Sequence, residues 1–157
     1  ATQKTMRIAQ QLYEGIDVKG NGTVGVITYL RTDSTRISEE ADAAARSYIS
    51  ETYGSEFVTE GSTEKKTGKK IQDAHEAIRP SDITRTPASL KDSLTRDQFR
   101  LYQLIWKRFT ASRMKPAVFE TTSVKSVRQS MYLQYLHQDV CLKDSAQFIQ
   151  RLMKKRK

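Results

Sequence analysis

The sequence predicts a mainly α-helical protein with a small β element. Three stretches, within residues 5–14, 38–54 and 95–113, carry apolar residues at helical spacing between cap and stop signals. One Gly-Asn-Gly turn, Gly20 to Gly22, separates two short runs rich in β-branched residues. With 157 residues and a hydrophobic fraction of 37%, one compact unit with loose ends is the expectation.

Met6, Ala9, Leu12 and Tyr13 share one side of a first helix, which Gly15 stops. Ile16-Asp17-Val18 and Thr23-Val24-Gly25-Val26-Ile27 read as two strands around the turn, with Tyr29 emerging at the end of the second. Ser38 is placed to cap a second helix, whose first turn holds Glu39 and Glu40, acids that the helix dipole favours there. Ala41, Ala44, Ala45, Tyr48, Ile49 and Tyr53 make its apolar stripe, and Gly54 its stop.

Residues 61–70 hold four lysines and no apolar side chain, so a mobile surface loop is expected, its lysines either touching phosphates or merely solvated. If Ile71 to Ile78 is helical, His75 and Arg79 share a face, and Pro80 ends the turn. Thr95 and Gln98 form a capping box, with Leu94 packing on Phe99 as a staple. Phe99, Tyr102, Ile105, Trp106, Phe109 and Arg113 continue one face of this longest helix until Pro116 forbids more, and Trp106 is expected in the core. Ala117 to Val124 alternates as a strand does. Arg128 to Met153 reads as loosely helical, and Lys154 to Lys157 as a solvated tail rather than a nucleic-acid arm.

Lys and Arg number 27 against 18 Asp and Glu, a net charge of +9 that makes a polyanion the first partner to consider. The charge is uneven: residues 1–60 carry −3 and the remaining 97 carry +12. Any nucleic-acid path is then built jointly, with Arg31 and Arg36 acting locally and later cations supplying the salt-dependent longer-range field. The lone cysteine, Cys141, forms no internal disulfide and, with two histidines, no zinc cluster, which suits a reducing, intracellular setting. No apolar run approaches the ~20 residues that cross a bilayer, and the amino terminus lacks a signal-peptide layout.

Chemistry concentrates at Tyr29 and Arg31. If the strand continues, residues two apart face one target, and a phenol with a guanidinium suits phosphate. A phenol, pKa about 10, is a poor nucleophile at neutral pH. Arg31 addresses that by forking onto phosphate oxygens and stabilising charge in the transition state. Spacing alone leaves open an edge-strand aromatic beside a solvated arginine.

The run Gly25-Val26-Ile27-Thr28-Tyr29-Leu30-Arg31-Thr32-Asp33-Ser34 closely resembles the active-site segment of type IA DNA topoisomerases. Ala74-His75-Glu76-Ala77-Ile78-Arg79-Pro80-Ser81 resembles the histidine segment of that family, at a suitable distance downstream. Lys4 to Gly15 and Leu101 to Phe109 are similar to it as well, in the bacterial style. The resemblance covers residues 4–124 and assigns residues 1–124 to the tyrosine-bearing domain. Residues 125–157 form an unmatched basic segment.

The resemblance implies an α-rich helix-turn-helix domain of the catabolite-activator type. It implies Tyr29 as the nucleophile of a 5′-phosphotyrosyl link, Arg31 as its DNA-contacting, transition-state-stabilising partner, and His75 near the cleaved phosphate, donating a hydrogen bond or helping proton movement. Arg36 and Arg79 join Arg31 as DNA-binding candidates. The parent enzyme is then a cytoplasmic monomer that breaks one strand of single-stranded or underwound DNA, passes another and reseals it without ATP, relaxing negative supercoils. Mg2+ is implied, held by carboxylates on a domain outside this chain. Asp33, between two hydroxyl residues, reads as a turn-forming Asx rather than a metal ligand. The chain is accordingly expected to be an excised piece that needs the remaining domains, binds DNA weakly and relaxes nothing alone.

Three rivals bear on this reading. His75-Glu76 opens a zinc-protease motif, but Arg79 stands where the second histidine belongs. A tyrosine recombinase uses the same residue types in the other order, with the tyrosine last, whereas Tyr29 precedes His75 and Arg79. A non-enzymatic basic helical module that binds nucleic acid or protein remains open; for it, Tyr29→Phe changes no activity.

Overall fold

The computed structural model describes residues 2–20, 22–59, 76–116, 119–128 and 131–140. Among them are three α-helices, one 3-10 turn and two antiparallel strand pairs, the mainly helical fold with a small β element that the sequence predicts. The chain divides into two compact units, Ala1–Met114 and Lys115–Lys157, where composition alone suggests one.

Helix α1, Thr2–Glu14, buries Ala9 and Leu12 and leaves Met6 and Tyr13 partly outside, so only half of its apolar stripe enters the core. It is closed by the Gly15 N–H donating to the Gln11 carbonyl at 3.0 Å, with Gly15 at φ 134°, a left-handed conformation that side chains resist. Strands β1, Ile16–Val18, and β2, Gly22–Val24, pair in register Ile16 with Val24 and Val18 with Gly22. Ile16 and Val18 point inward and Asp17 outward, the alternation a half-buried strand requires.

The second strand is shorter than its sequence suggests. It stops at Val24, because from Gly25 the backbone turns its hydrogen bonds toward α1 and residues 77–81. Tyr29 therefore stands on an irregular segment and not at a strand end.

Helix α2, Glu39–Tyr53, begins as predicted, with Ser38 Oγ accepting from the Ala41 N–H at 3.4 Å. Ala45 and Ile49 are wholly buried. A 3-10 turn at Ser55–Phe57 follows. Helix α3, Arg96–Ser112, carries both halves of the predicted capping box between Thr95 and Gln98 and ends before Pro116. Its buried face is Tyr102, Trp106, Phe109 and Thr110.

Trp106 is the centre of the core. Its Nε1–H donates to the Ile83 carbonyl at 2.9 Å, and Tyr48 of α2 meets it edge-on at a centroid distance of 5.8 Å. The Tyr102 hydroxyl donates to the Arg85 carbonyl at 2.6 Å, and burial pushes its pKa up. Fully burying such side chains is worth about 1.5–3 kcal/mol each before entropy, and through Trp106 and Tyr102 α3 also holds the irregular backbone at Ile83 and Arg85. Asp42 completes the frame, accepting from Arg46 at 2.6 Å within α2 and from Arg113 at 2.9 Å at the end of α3.

In the second unit, β3, Phe119–Arg128, pairs with β4, Met131–Val140, from Phe119 opposite Val140 to Arg128 opposite Met131. The strand expected over 117–124 is present in its described part. The loosely helical reading of 128–153 is corrected over residues 131–140, and residues 141–153 lie outside the described residues. Leu133, Leu136 and Val140 fit a helical spacing, yet aromatic Tyr132 and Tyr135 and a partner strand two residues away select the extended form.

Candidate active site

The segment bearing Tyr29 is seated from two sides. On one side, the Val26 N–H donates to the Leu12 carbonyl of α1 at 2.9 Å, and Gly25 lies so near the Tyr13 carbonyl that an added Cβ would stand 2.4 Å from its oxygen. Glycine is required there by close approach. On the other side, Ser81 gives its N–H to the Val26 carbonyl at 3.0 Å and its hydroxyl to the Gly25 carbonyl at 2.8 Å, and Ile27 bridges Pro80. Thr28 finishes the lacing: its N–H donates to the Arg79 carbonyl, and its hydroxyl donates to the Ala77 carbonyl and accepts the Arg79 N–H, each at 2.9 Å. Two motif segments far apart in sequence thus run side by side.

Tyr29 projects from this seat and is 56% exposed, although Val26 and Ile27 just before it are buried. Its ring meets the ring of Tyr13 edge-on, centroids 5.4 Å apart and planes at 66°. The expectation that Tyr29 and Arg31 alternate along a strand is corrected. The Arg31 N–H donates to the Tyr29 carbonyl at 3.0 Å, so the chain makes a three-residue turn between them. The Arg31 guanidinium instead meets Asp33, Nε to Oδ2 at 3.0 Å, with both side chains at least half exposed. Asp33 is thus an ion-pair partner of Arg31, and it is Ser34 whose side-chain oxygen accepts a local backbone bond, from the Arg36 N–H at 3.2 Å.

Arg79 is largely enclosed. Its guanidinium donates to Glu76 Oε2 at 3.0 and 2.7 Å, to the Pro80 carbonyl at 3.0 Å and to Ser38 Oγ at 3.4 Å. Burial works against the Glu76 charge, but Arg79, the Ser38 hydroxyl and the positive field of Arg36 outweigh it, holding the carboxyl below its usual range. Arg36 is exposed, and its carbonyl accepts the Ala77 N–H at 2.8 Å. His75 and residues 71–74 lie outside the described residues. The part of the expected 71–78 helix that is described, 76–78, is not helical, because its backbone groups bond to Arg36 and Thr28 across the site instead of to one another.

Sequence reasoning missed Thr28, Glu76 and Ser38 as the partners that set this geometry. The one available signal is Glu76 three residues before Arg79, a spacing that favours ion pairing. Among the described residues no three carboxylate, imidazole or thiol side chains converge to hold a metal ion. Among them, too, no helix is long and apolar enough to cross a membrane. Beside Arg79 a cleft of about 250 Å³ opens between the start of α2 and Pro80 to Ile83. Tyr29 does not line it.

A family model described as DNA topoisomerase matches residues 1–141, nine-tenths of the chain and past Val124, where the resemblance legible in the sequence stops. The chain belongs to the type IA DNA topoisomerases. Among solved structures, full-length topoisomerase I from Thermotoga maritima matches with a TM-score of 0.78 and 39% sequence identity over 94% of this chain. The match takes in 23% of that protein, so the chain spans less than a quarter of the relative's length. In topoisomerase terms, the laced pair of segments unites the tyrosine run with the end of the histidine run.

Proposed function

We propose that this chain is the nucleophile-bearing part of a topoisomerase that breaks one DNA strand, passes another through and reseals it, relaxing negative supercoils. Tyr29 Oη attacks a backbone phosphorus, forming the Tyr29–phosphate ester while the bond to the upstream 3′ oxygen breaks. That oxygen takes up a proton and leaves as the 3′-hydroxyl of the upstream strand, and the phosphate stays joined to the 5′ oxygen of the downstream strand. Resealing reverses each bond: the 3′-hydroxyl attacks, and the phenol departs. One phosphoester is exchanged for another at each step, so no ATP is needed.

The observation that carries this reading is an exposed tyrosine on a backbone fixed from both sides. A nucleophile must be reachable and yet held in place. Arg31 and Arg36, exposed on either side of the Asp33 turn, are the phosphate contacts of this reading. Arg79 is the third DNA-binding arginine; to meet a phosphate it exchanges part of its Glu76 pairing. His75 acts near the cleaved phosphate, as hydrogen-bond donor or proton carrier. The partners are single-stranded or underwound DNA and the remaining domains of a monomeric, cytoplasmic enzyme, and those domains hold the Mg2+. The isolated chain binds DNA weakly and relaxes nothing by itself.

Tyr29→Phe in the full-length protein tests the reading, since it removes one hydroxyl from an exposed ring. Relaxation of supercoiled DNA is lost while the thermal melt is unchanged. Retained relaxation contradicts the proposal and favours a binding module.

A further inference from the structure

The exposed ring of Tyr29 rests on one described aromatic neighbour, Tyr13, and the two residues come together through the backbone as well as through their rings. Tyr13 lies in the last turn of α1, and its carbonyl is the atom against which Gly25 is pressed. The Val26 N–H is bonded one residue earlier, to Leu12. The backbone contacts therefore fix where the nucleophile segment leaves α1, and the edge-on ring contact at 5.4 Å fixes which way the Tyr29 ring leans. Tyr13 is 37% exposed and Tyr29 56%, so the pair lies at the surface and adds little to the core. A surface pair that contributes little to folding and touches the nucleophile directly has its main effect on the nucleophile's orientation.

We infer that Tyr13 is a positioning residue for Tyr29: its ring holds the Tyr29 ring in the orientation from which the hydroxyl reaches phosphorus. The inference rests on the proposed role of Tyr29 as nucleophile. It requires the aromatic ring of Tyr13 and not its hydroxyl. An edge-on aromatic pair changes the population of a held orientation by about two- to tenfold, and the rate of attack follows that population. DNA affinity is unaffected, because Tyr13 enters only through Tyr29.

The test uses the full-length protein with a single-stranded oligonucleotide and magnesium chloride, comparing wild type with Tyr13→Ala, Tyr13→Leu and Tyr13→Phe. The readouts are the single-turnover rate of covalent adduct formation at saturating DNA, the DNA dissociation constant and the thermal melt. Tyr13→Ala and Tyr13→Leu are expected to slow adduct formation about two- to tenfold with unchanged DNA affinity and melting, and Tyr13→Phe to restore the wild-type rate. If alanine unfolds the protein, leucine, which keeps bulk on α1, decides the matter. Wild-type rates in the folded variants overturn the inference. So does a Tyr13→Phe as slow as Tyr13→Ala, or a loss confined to DNA affinity. A wild-type protein with no adduct, or one whose adduct survives Tyr29→Phe, overturns the nucleophile assignment itself and is told apart by those two controls.

Discussion

Thr28 and Arg79 hold each other by reciprocal hydrogen bonds: the Thr28 N–H donates to the Arg79 carbonyl at 2.9 Å, and the Arg79 N–H donates to the Thr28 hydroxyl oxygen at 2.9 Å. The residue next to Tyr29 is thereby tied to the end of the histidine segment. Thr28→Val keeps the shape and removes the hydroxyl, leaving the Arg79 N–H without this acceptor in a half-buried place. The expected cost is about 1–2 kcal/mol of stability, read as a shift of the urea midpoint. Thr28→Ser restores most of it.

The Glu76–Arg79 pair makes part of the stability depend on pH. The folded-state pKa of Glu76 is lowered from 4.5, with burial opposing and the Arg79 hydrogen bonds and charge prevailing. The unfolded chain then binds more protons than the folded one in the acid range, so this contribution is complete above pH 4.5 and is lost as pH falls through the lowered value. Asp42, lowered from 3.8 against burial by Arg113 and Arg46, adds to the same side. Urea midpoints measured from pH 6 down to pH 3 should fall for wild type and fall less steeply for Glu76→Gln, which is also less stable at pH 6.

Asp42 accepts from Arg46 within α2 and from Arg113 just past the end of α3, so its loss removes both of these charged hydrogen bonds. Hydrogen bonds to charged partners contribute about 1.5–3 kcal/mol, and Asp42→Ala is expected to destabilise by an amount in that range. The thermal melt measures it. The site contacts of Thr28 lie on other residues, so adduct formation at low temperature should persist.

Gly25→Ala acts on the seat of Tyr29. The new methyl would meet the Tyr13 carbonyl at 2.4 Å, and that oxygen belongs to helix backbone that cannot swing away. Either α1 or the Tyr29 segment has to shift, and reaction geometry tolerates little displacement, about 1 Å costing up to 100-fold. The expected outcome is a loss of adduct formation larger than the loss of thermal stability.

Local signals were the legible part of the fold. Ser38 and the Thr95–Gln98 box start their helices where written, because a cap needs only neighbours in sequence. Trp106 in the core follows from the periodicity of α3. Nothing local announces that Gly25 to Thr28 bonds to α1 and to residues 77–81, so the sequence pattern predicts a longer strand, and a strand geometry at Arg31, that the structure does not have. The same blindness to long-range pairing made residues 131–140 look helical. The motif marks Tyr29 in the sequence, whereas the bonds of Thr28 and Ser38 to Arg79 span tens of residues, and only the Glu76–Arg79 pair has a local spacing.

The most direct measurement is the identity and polarity of the covalent link. The full-length protein is trapped on a single-stranded oligonucleotide labelled at one end or the other, denatured, digested and sequenced by mass spectrometry. The expected result is a phosphate on Tyr29 that joins it to the 5′ end of the downstream strand, the upstream strand ending in a free 3′-hydroxyl. A link to any other residue, or a 3′-phosphotyrosine with a free 5′-hydroxyl, contradicts the assignment.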